Sequence, residues 1–316
     1  MRYVAIIGSF QKSYEGICKF IRLLRKNGFT VTSPSLSKVV DKREGFVVFA
    51  SDDNSLTNDE IQTDTLRKIL NADAVYVYND KEGYIGQTTC YEIGFLMAKA
   101  RSLYYFAMPS DLPVPVDNAQ IVSPEKFIEK FRELETGFIL PTKDKARTSS
   151  ALHSVYGGAY VLICGSMKFF DEMVEVQRQL KYIGINAIVP EDEISLPEDI
   201  TSEEFNDFKR KVSRNYLDKI RRGGTQAILV LNETKNGIEN YVGANTLVEI
   251  GMAFAWGRKI FIYNDFYPPL IDELSAWKSI AVKKDLSIIK KFFGTHGEDD
   301  NKIHQISFFD DGGSLW

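Results

Sequence analysis

Tyr160-Val161-Leu162-Ile163-Cys164-Gly165-Ser166-Met167 is an apolar run that halts at a glycine and a serine. Consecutive apolar residues without polar alternation describe a strand buried on both faces, as inside a parallel sheet. The pattern recurs as Tyr3-Val4-Ala5-Ile6-Ile7-Gly8-Ser9-Phe10. Further along, Tyr84-Ile85-Gly86-Gln87-Thr88-Thr89-Cys90-Tyr91-Glu92-Ile93-Gly94 is matched by Tyr241-Val242-Gly243-Ala244-Asn245-Thr246-Leu247-Val248-Glu249-Ile250-Gly251. Both matches carry one offset, 157 residues. Long matches at a fixed spacing indicate a tandem duplication. Between these anchors Gly28 pairs with Gly184, Pro34 with Pro190 and Asn79 with Asn232, so loop insertions and deletions cancel across each copy.

Each copy reads strand, helix, strand, variable region, helix, strand, helix, strand. In the second copy the strand Tyr160 to Cys164 leads to a helix from Phe170 to Ile183, closed by Gly184. A strand from Asn186 to Val189 stops at Pro190, and a polar helix from Phe205 to Arg222 ends at Gly223-Gly224. A strand from Ala227 to Leu231, a helix from Asn245 to Trp256 and a strand from Lys259 to Tyr263 follow. This alternation predicts an α/β protein: two tandem Rossmann-like (flavodoxin-like) three-layer domains with parallel sheets. The expected boundaries are residues 1–140 for the first domain, 141–158 for a linker rich in Thr, Ser, Lys and Gly, and 159–293 for the second. Residues 294–316 form an acidic C-terminal tail that ends in aromatics, among them Phe308, Phe309 and Trp316.

The bulk composition suits this division. A chain of 316 residues can bury two ordinary cores, and 44% hydrophobic with 26% charged residues is a globular balance. The net charge of -4, with both signs interspersed, announces no duplex nucleic acid as partner. Cys18, Cys90 and Cys164 lie too far apart in sequence for a disulfide framework, and His153, His296 and His304 share no ligand spacing with them. No metal site and no cofactor is expected. No apolar stretch approaches membrane-spanning length and no leader precedes Tyr3, so the expected location is the cytoplasm.

Ligands of parallel α/β sheets bind beyond the carboxyl ends of the strands, and three pieces of each copy fall there. Gly8-Ser9 and Gly165-Ser166 end the first strand just before a helix, where glycine permits close approach and serine offers a hydroxyl. A tight strand-to-helix turn calls for the same small residues. Asn79-Asp80 and Asn232-Glu233 end the third strand, where they could hold a ribose or base or simply make a turn. The third piece is a glycine loop, with Tyr84 and Gly86 or Tyr241 and Gly243, leading into a helix that starts at Thr88 or Asn245 and carries Glu92 or Glu249. The second of these helices continues as Ile250-Gly251-Met252-Ala253-Phe254-Ala255. A carboxylate opening so apolar a stretch is costly to bury unless it is paired or functional. Its place near the helix N-terminus favours the ionised form. A capping box with the Thr or Asn before it is the structural alternative.

Gly-Ser after the first strand, with Tyr-x-Gly-x-x-Thr-x-x-Glu-Ile-Gly before the last, resembles the nucleoside 2-deoxyribosyltransferase superfamily, which includes the deoxynucleoside 5'-monophosphate N-hydrolases. The resemblance spans nearly all of both copies and is closer in the second, from Asn240 to Tyr263. It implies that Glu249 and Glu92 are nucleophiles that attack the anomeric carbon as the base departs, in the manner of a retaining glycosidase. It also implies that Gly165-Ser166 and Gly8-Ser9 receive a 5'-phosphate. Family members borrow site residues from a neighbouring subunit, so the tandem implies an internal pseudo-dimer and leaves further homo-oligomerisation open. The transferases carry an acid six positions before the nucleophile, where this chain has Gly86 and Gly243. A second family acid aligns loosely with Asp80 or Glu233, or with the Asn before each. These departures favour hydrolysis over base exchange. The expected function is an N-glycosidase acting on a nucleoside or nucleoside 5'-monophosphate. A nucleotide-binding sensor without turnover and a base-exchanging deoxyribosyltransferase are the alternatives.

Overall fold

The computed structural model describes residues 2–34, 39–43, 46–49, 56–79, 81–110, 112, 116–133, 159–190, 201, 204 and 215–296. Asp80, the expected linker and nearly all of the acidic tail lie outside the described residues. The chain divides into two compact units, Met1–Tyr156 and Gly157–Trp316.

The first unit runs β1 (Arg2–Gly8), α1 (Phe10–Lys26), β2 (Phe29–Ser33), β3 (Val39–Arg43), β4 (Phe46–Phe49), α2 (Asn58–Leu70), β5 (Ala74–Tyr78), α3 (Gln87–Ala98), β6 (Leu103–Tyr105) and α4 (Pro124–Glu133). Its main sheet has the order β2-β1-β5-β6, and every pairing in it is parallel. β3 and β4 form a separate antiparallel pair, inserted between the second strand and α2. Ile17, Phe20, Ile21 and Leu24 recur at i, i+3, i+4 and i+7, which puts four apolar side chains on one stripe of α1. That stripe packs on Val4 and Ile6 of β1, Tyr76 of β5 and Phe127 of α4. Tyr76 meets Phe20 at 4.6 Å and Phe127 edge-on at 5.1 Å between ring centroids. Ala5 and Ile7, which alternate with these residues along β1, are buried too, and α2 and α3 contact the same strand.

The second unit runs β7 (Tyr160–Gly165), α5 (Phe170–Tyr182), β8 (Asn186–Ile188), a helical segment at 215–221, β9 (Thr225–Leu231), α6 (Ala244–Ala255), β10 (Lys259–Ile262), α7 (Ile271–Ala276), β11 (Ile280–Ala281) and α8 (Ser287–His296). Its sheet has the order β8-β7-β9-β10-β11, again parallel throughout. Numbered within the unit this is 2-1-3-4-5, the flavodoxin-like order. Residues of one parity, Val161, Ile163, Leu229 and Phe261, face Met173, Val176 and Leu180 of α5 and Ile289 of α8. Those of the other parity, Leu162, Cys164, Ile228 and Val230, are equally buried, and α6 contacts β7, β9 and β10. Helices therefore cover both faces, and an apolar side chain is needed at each strand position.

The read elements and the observed ones differ at their ends by one or two residues, except that the start of the polar helix read from Phe205 lies outside the described residues. Strand β11, helices α4, α7 and α8 and the antiparallel β3-β4 pair fall outside the alternation of strands and helices read from the sequence. Among the described residues, no helix is long and apolar enough to cross a membrane.

Candidate functional site

Gly8 and Gly165 close their strands with φ of +152° and +157°, backbone geometry that side chains rarely adopt. A Cβ on Gly8 would lie 2.4 Å from the carbonyl oxygen of Tyr78, and one on Gly165 2.7 Å from that of Leu231. Both glycines are thus demanded by the neighbouring strand, whatever else lies beyond them. The serines that follow are placed differently in the two units. Ser9 is the N-cap residue of α1 and makes no side-chain cap bond. It approaches the glycine loop, since a Cβ on Gly86 would sit 3.6 Å from the Ser9 Cβ. Ser166 Oγ accepts from the backbone N–H of Lys168 at 3.4 Å and from Lys235 Nζ at 3.0 Å.

Lysines that the sequence analysis did not single out join these groups. Lys235 Nζ lies 4.8 Å from the Tyr241 ring centroid, so it bridges Ser166 to the glycine loop of the second unit. In the first unit Lys12 Nζ sits 3.5 Å above the ring of Tyr84. The two lysines come from unrelated places, α1 in one unit and the loop after β9 in the other. No repeat could reveal them, because the matched tyrosines are reached from different elements.

The asparagines at the ends of the third strands are latches. Asn79 Nδ2 donates to the Ala107 carbonyl at 2.9 Å, and Asn79 Oδ1 accepts from the Ala107 N–H at 3.0 Å. Asn232 Nδ2 donates to the Asp265 carbonyl at 2.8 Å and its Oδ1 accepts from the Asn264 N–H at 2.9 Å. Each side chain is buried and joins its strand to the chain beyond the next one. Glu233 pairs with Lys284 at 3.3 Å at the edge of the same region.

The glutamate-bearing helices start one residue earlier than expected, with Gly86 and Gly243 as their N-caps. Their third residues are then Thr89 and Thr246, and Glu92 and Glu249 stand sixth, so neither glutamate closes a capping box. Asn245, second in α6, is exposed. The sixth position also lies past the first turn, where the helix dipole acts on a charge. Burial therefore decides the ionisation of Glu249, and it reverses the expectation of a stabilised carboxylate. Desolvation pushes its pKa up to about 8, against a smaller downward pull from a hydrogen bond with the Cys164 thiol. Cys164, in β7, is itself pushed well up by burial first and by the charge of Glu249 second. Beside them Tyr216, whose hydroxyl donates to the Ile163 carbonyl, is raised by burial and by the same two neighbours. Glu249 as a residue is half-buried, but its Oε2 is buried with no hydrogen-bond partner. At neutral pH this carboxyl is mostly protonated, with one oxygen unsatisfied.

Glu92 is buried in the matching place of α3, at 8% exposure. The residue that matches Cys164 is Ile7, so the thiol contact of Glu249 has no counterpart by position. All three cysteines are free and buried. Among the described residues, no group of three or more His, Cys, Asp or Glu side chains is placed to hold a metal ion. No protein-family model, curated protein or solved structure matches the chain.

Proposed function

We propose that the chain is a tandem duplication whose second unit cleaves the N-glycosidic bond of a nucleoside or nucleoside 5'-monophosphate, with Glu249 as the reacting carboxyl. The duplication is supported by the shared 157-residue offset, the common strand order, the paired φ values of Gly8 and Gly165, and the latches of Asn79 and Asn232. The observation that carries the chemistry is the buried, unpartnered Oε2 of Glu249 on α6, a helix that contacts the central strands of a parallel sheet. A buried oxygen without a partner is expensive, and a reacting carbon or a substrate hydroxyl would satisfy it. In the proposed step Glu249, once ionised, forms a bond to the anomeric carbon. The bond from that carbon to the base nitrogen breaks, its electron pair leaving with the base, which takes up a proton. Water then displaces the sugar from the carboxyl. Ionisation comes first, so base release should climb with pH toward about 8.

The raised pKa of Glu249 favours a second reading as well. A protonated carboxyl at neutral pH can donate to a sugar hydroxyl, which suits a nucleotide-binding module without turnover. Chromatography separates the two. Purified protein is incubated with the common ribo- and deoxyribonucleosides and their 5'-monophosphates, alongside Glu249→Gln and Glu92→Gln. Free base that vanishes in Glu249→Gln supports the glycosidase. A ligand that raises the melting temperature without releasing base supports the binding module.

A further inference from the structure

The chain between β9 and α6 is built as a small stiff hairpin. Asn236 and Gly237 hold φ of +54° and +80°, the left-handed pair that a two-residue I′ turn requires. Lys235 and Ile238, on either side of them, exchange both backbone hydrogen bonds, each at 3.0 Å. The hairpin is fixed at its root and exposed beyond it. Asn232 is latched to the chain after β10, Glu233 pairs with Lys284 at 3.3 Å, and Val242 is buried. A longer backbone bond, from the Tyr241 N–H to the Glu233 carbonyl at 3.3 Å, closes the neck. Past the neck, Thr234 and residues 236–239 are exposed. Among the described residues, one side-chain hydrogen bond ties residues 234–240 to the body of the unit, from Lys235 Nζ to Ser166 Oγ at 3.0 Å.

That bond crosses a particular place. In a sheet of order 2-1-3-4-5 the ligand crevice lies between the first and third strands, whose following helices leave toward opposite faces. Here these strands are β7 and β9, followed by α5 and α6. Ser166 follows β7 and Lys235 follows β9, so their hydrogen bond spans the crevice from one lip to the other. Both lips lead to Glu249. Two residues before Ser166 stands Cys164, whose thiol is hydrogen-bonded to that carboxyl. Beyond the hairpin, Gly243 is the N-cap of α6, the helix that carries it. The first unit reaches a similar tie by another route. Lys12, in the first turn of α1, sits 3.5 Å above the ring of Tyr84, as Lys235 sits 4.8 Å from that of Tyr241. In each unit a lysine joins the chain after the first strand to the glycine loop, although the two lysines do not correspond in sequence. A tie made twice by different residues is not a leftover of the repeat.

We propose that residues 233–241 form a hinged flap, latched by Lys235 to Ser166 across the crevice between β7 and β9, and that its opening governs access to the Glu249 carboxyl. Its value as a gate for substrate rests on the reading of Glu249 as the reacting carboxyl. The test needs no substrate, so its outcome is separate from that of the glycosidase. One hydrogen bond of this kind shifts an opening equilibrium by about tenfold.

The test uses the full chain at about pH 6, where Glu249, with its pKa of about 8, holds the proton that carbodiimide activation requires. Two rates are followed in the wild type, Lys235→Met, Ser166→Ala and the double variant. One is hydrogen exchange of the Tyr241 amide, which the neck bond protects. The other is coupling of glycine ethyl ester to Glu249 by a water-soluble carbodiimide, read by mass spectrometry at low conversion. Each single substitution should speed both rates by about tenfold and leave exchange in β9 unchanged, and the double variant should be no faster than either single one. Tyr241 exchange indifferent to both substitutions would overturn the flap, and so would exchange that quickens equally in β9. Multiplied effects in the double variant would overturn the latch between Lys235 and Ser166. Faster exchange with unchanged coupling at Glu249 would overturn the gate and leave the flap standing.

Discussion

Glu249 is the residue whose surroundings most constrain what this protein can do. Its pKa of about 8 lies above the ordinary carboxyl value of 4.5, so the folded chain holds a proton that the unfolded chain releases between those limits. The resulting contribution to stability is complete below about pH 4.5 and is lost as pH rises through about 8. Glu249→Gln, neutral at every pH, should therefore melt higher than the wild type at pH near 9 and gain much less near pH 5. Equal gains at both would mean that burial does not control this carboxyl. Cys164→Val addresses the same group from β7. It removes the hydrogen bond that favours the ionised form, so the alkaline rise in base release should move to higher pH, with little loss at the plateau. An unmoved profile would separate the thiol from the function of Glu249.

The strands and the helices around them are where the sequence is most readable. β1 and β7 show themselves because strands covered on both faces need apolar residues at every position, and because each ends on a glycine with no alternative. Gly165→Ala should lose about 1–3 kcal/mol from backbone strain alone, before the contact with the Leu231 carbonyl is relieved. Chemical denaturation would measure it, and a neutral outcome would show that the turn can rearrange. β11 escapes a reading because two residues, Ile280 and Ala281, carry no period. Asn79 and Asn232 are visible as polar residues at strand ends, yet their work lies in backbone groups far along the chain, at Ala107, Asn264 and Asp265. Asn232→Ala leaves the part-buried Asn264 N–H and the Asp265 carbonyl without their partner, and should cost about 1–3 kcal/mol of stability. Lys12, Lys235 and Tyr216 join the sites through folding alone. None has a spacing that points to Glu92 or Glu249.

Across the whole chain, two units share a sheet order and matched glycines, yet differ where chemistry would occur. Ile7 stands where the second unit has Cys164, the antiparallel β3-β4 pair occurs in the first, and the lysines over Tyr84 and Tyr241 arrive from different elements. Under the proposed duplication, units that diverge in this way are expected to divide labour. Glu92→Gln should reduce base release far less than Glu249→Gln, which should reduce it by about a hundredfold or more, as expected for loss of a nucleophile. Equal losses would show that the units act alike. The decisive measurement is chromatographic detection of free base from nucleosides and 5'-monophosphates, followed across pH 5 to 9 in the wild type and Glu249→Gln. Base release that rises toward pH of about 8 and disappears in Glu249→Gln is the predicted result. Base release that survives the substitution would contradict a reacting Glu249, and its absence from every substrate would contradict the glycosidase itself.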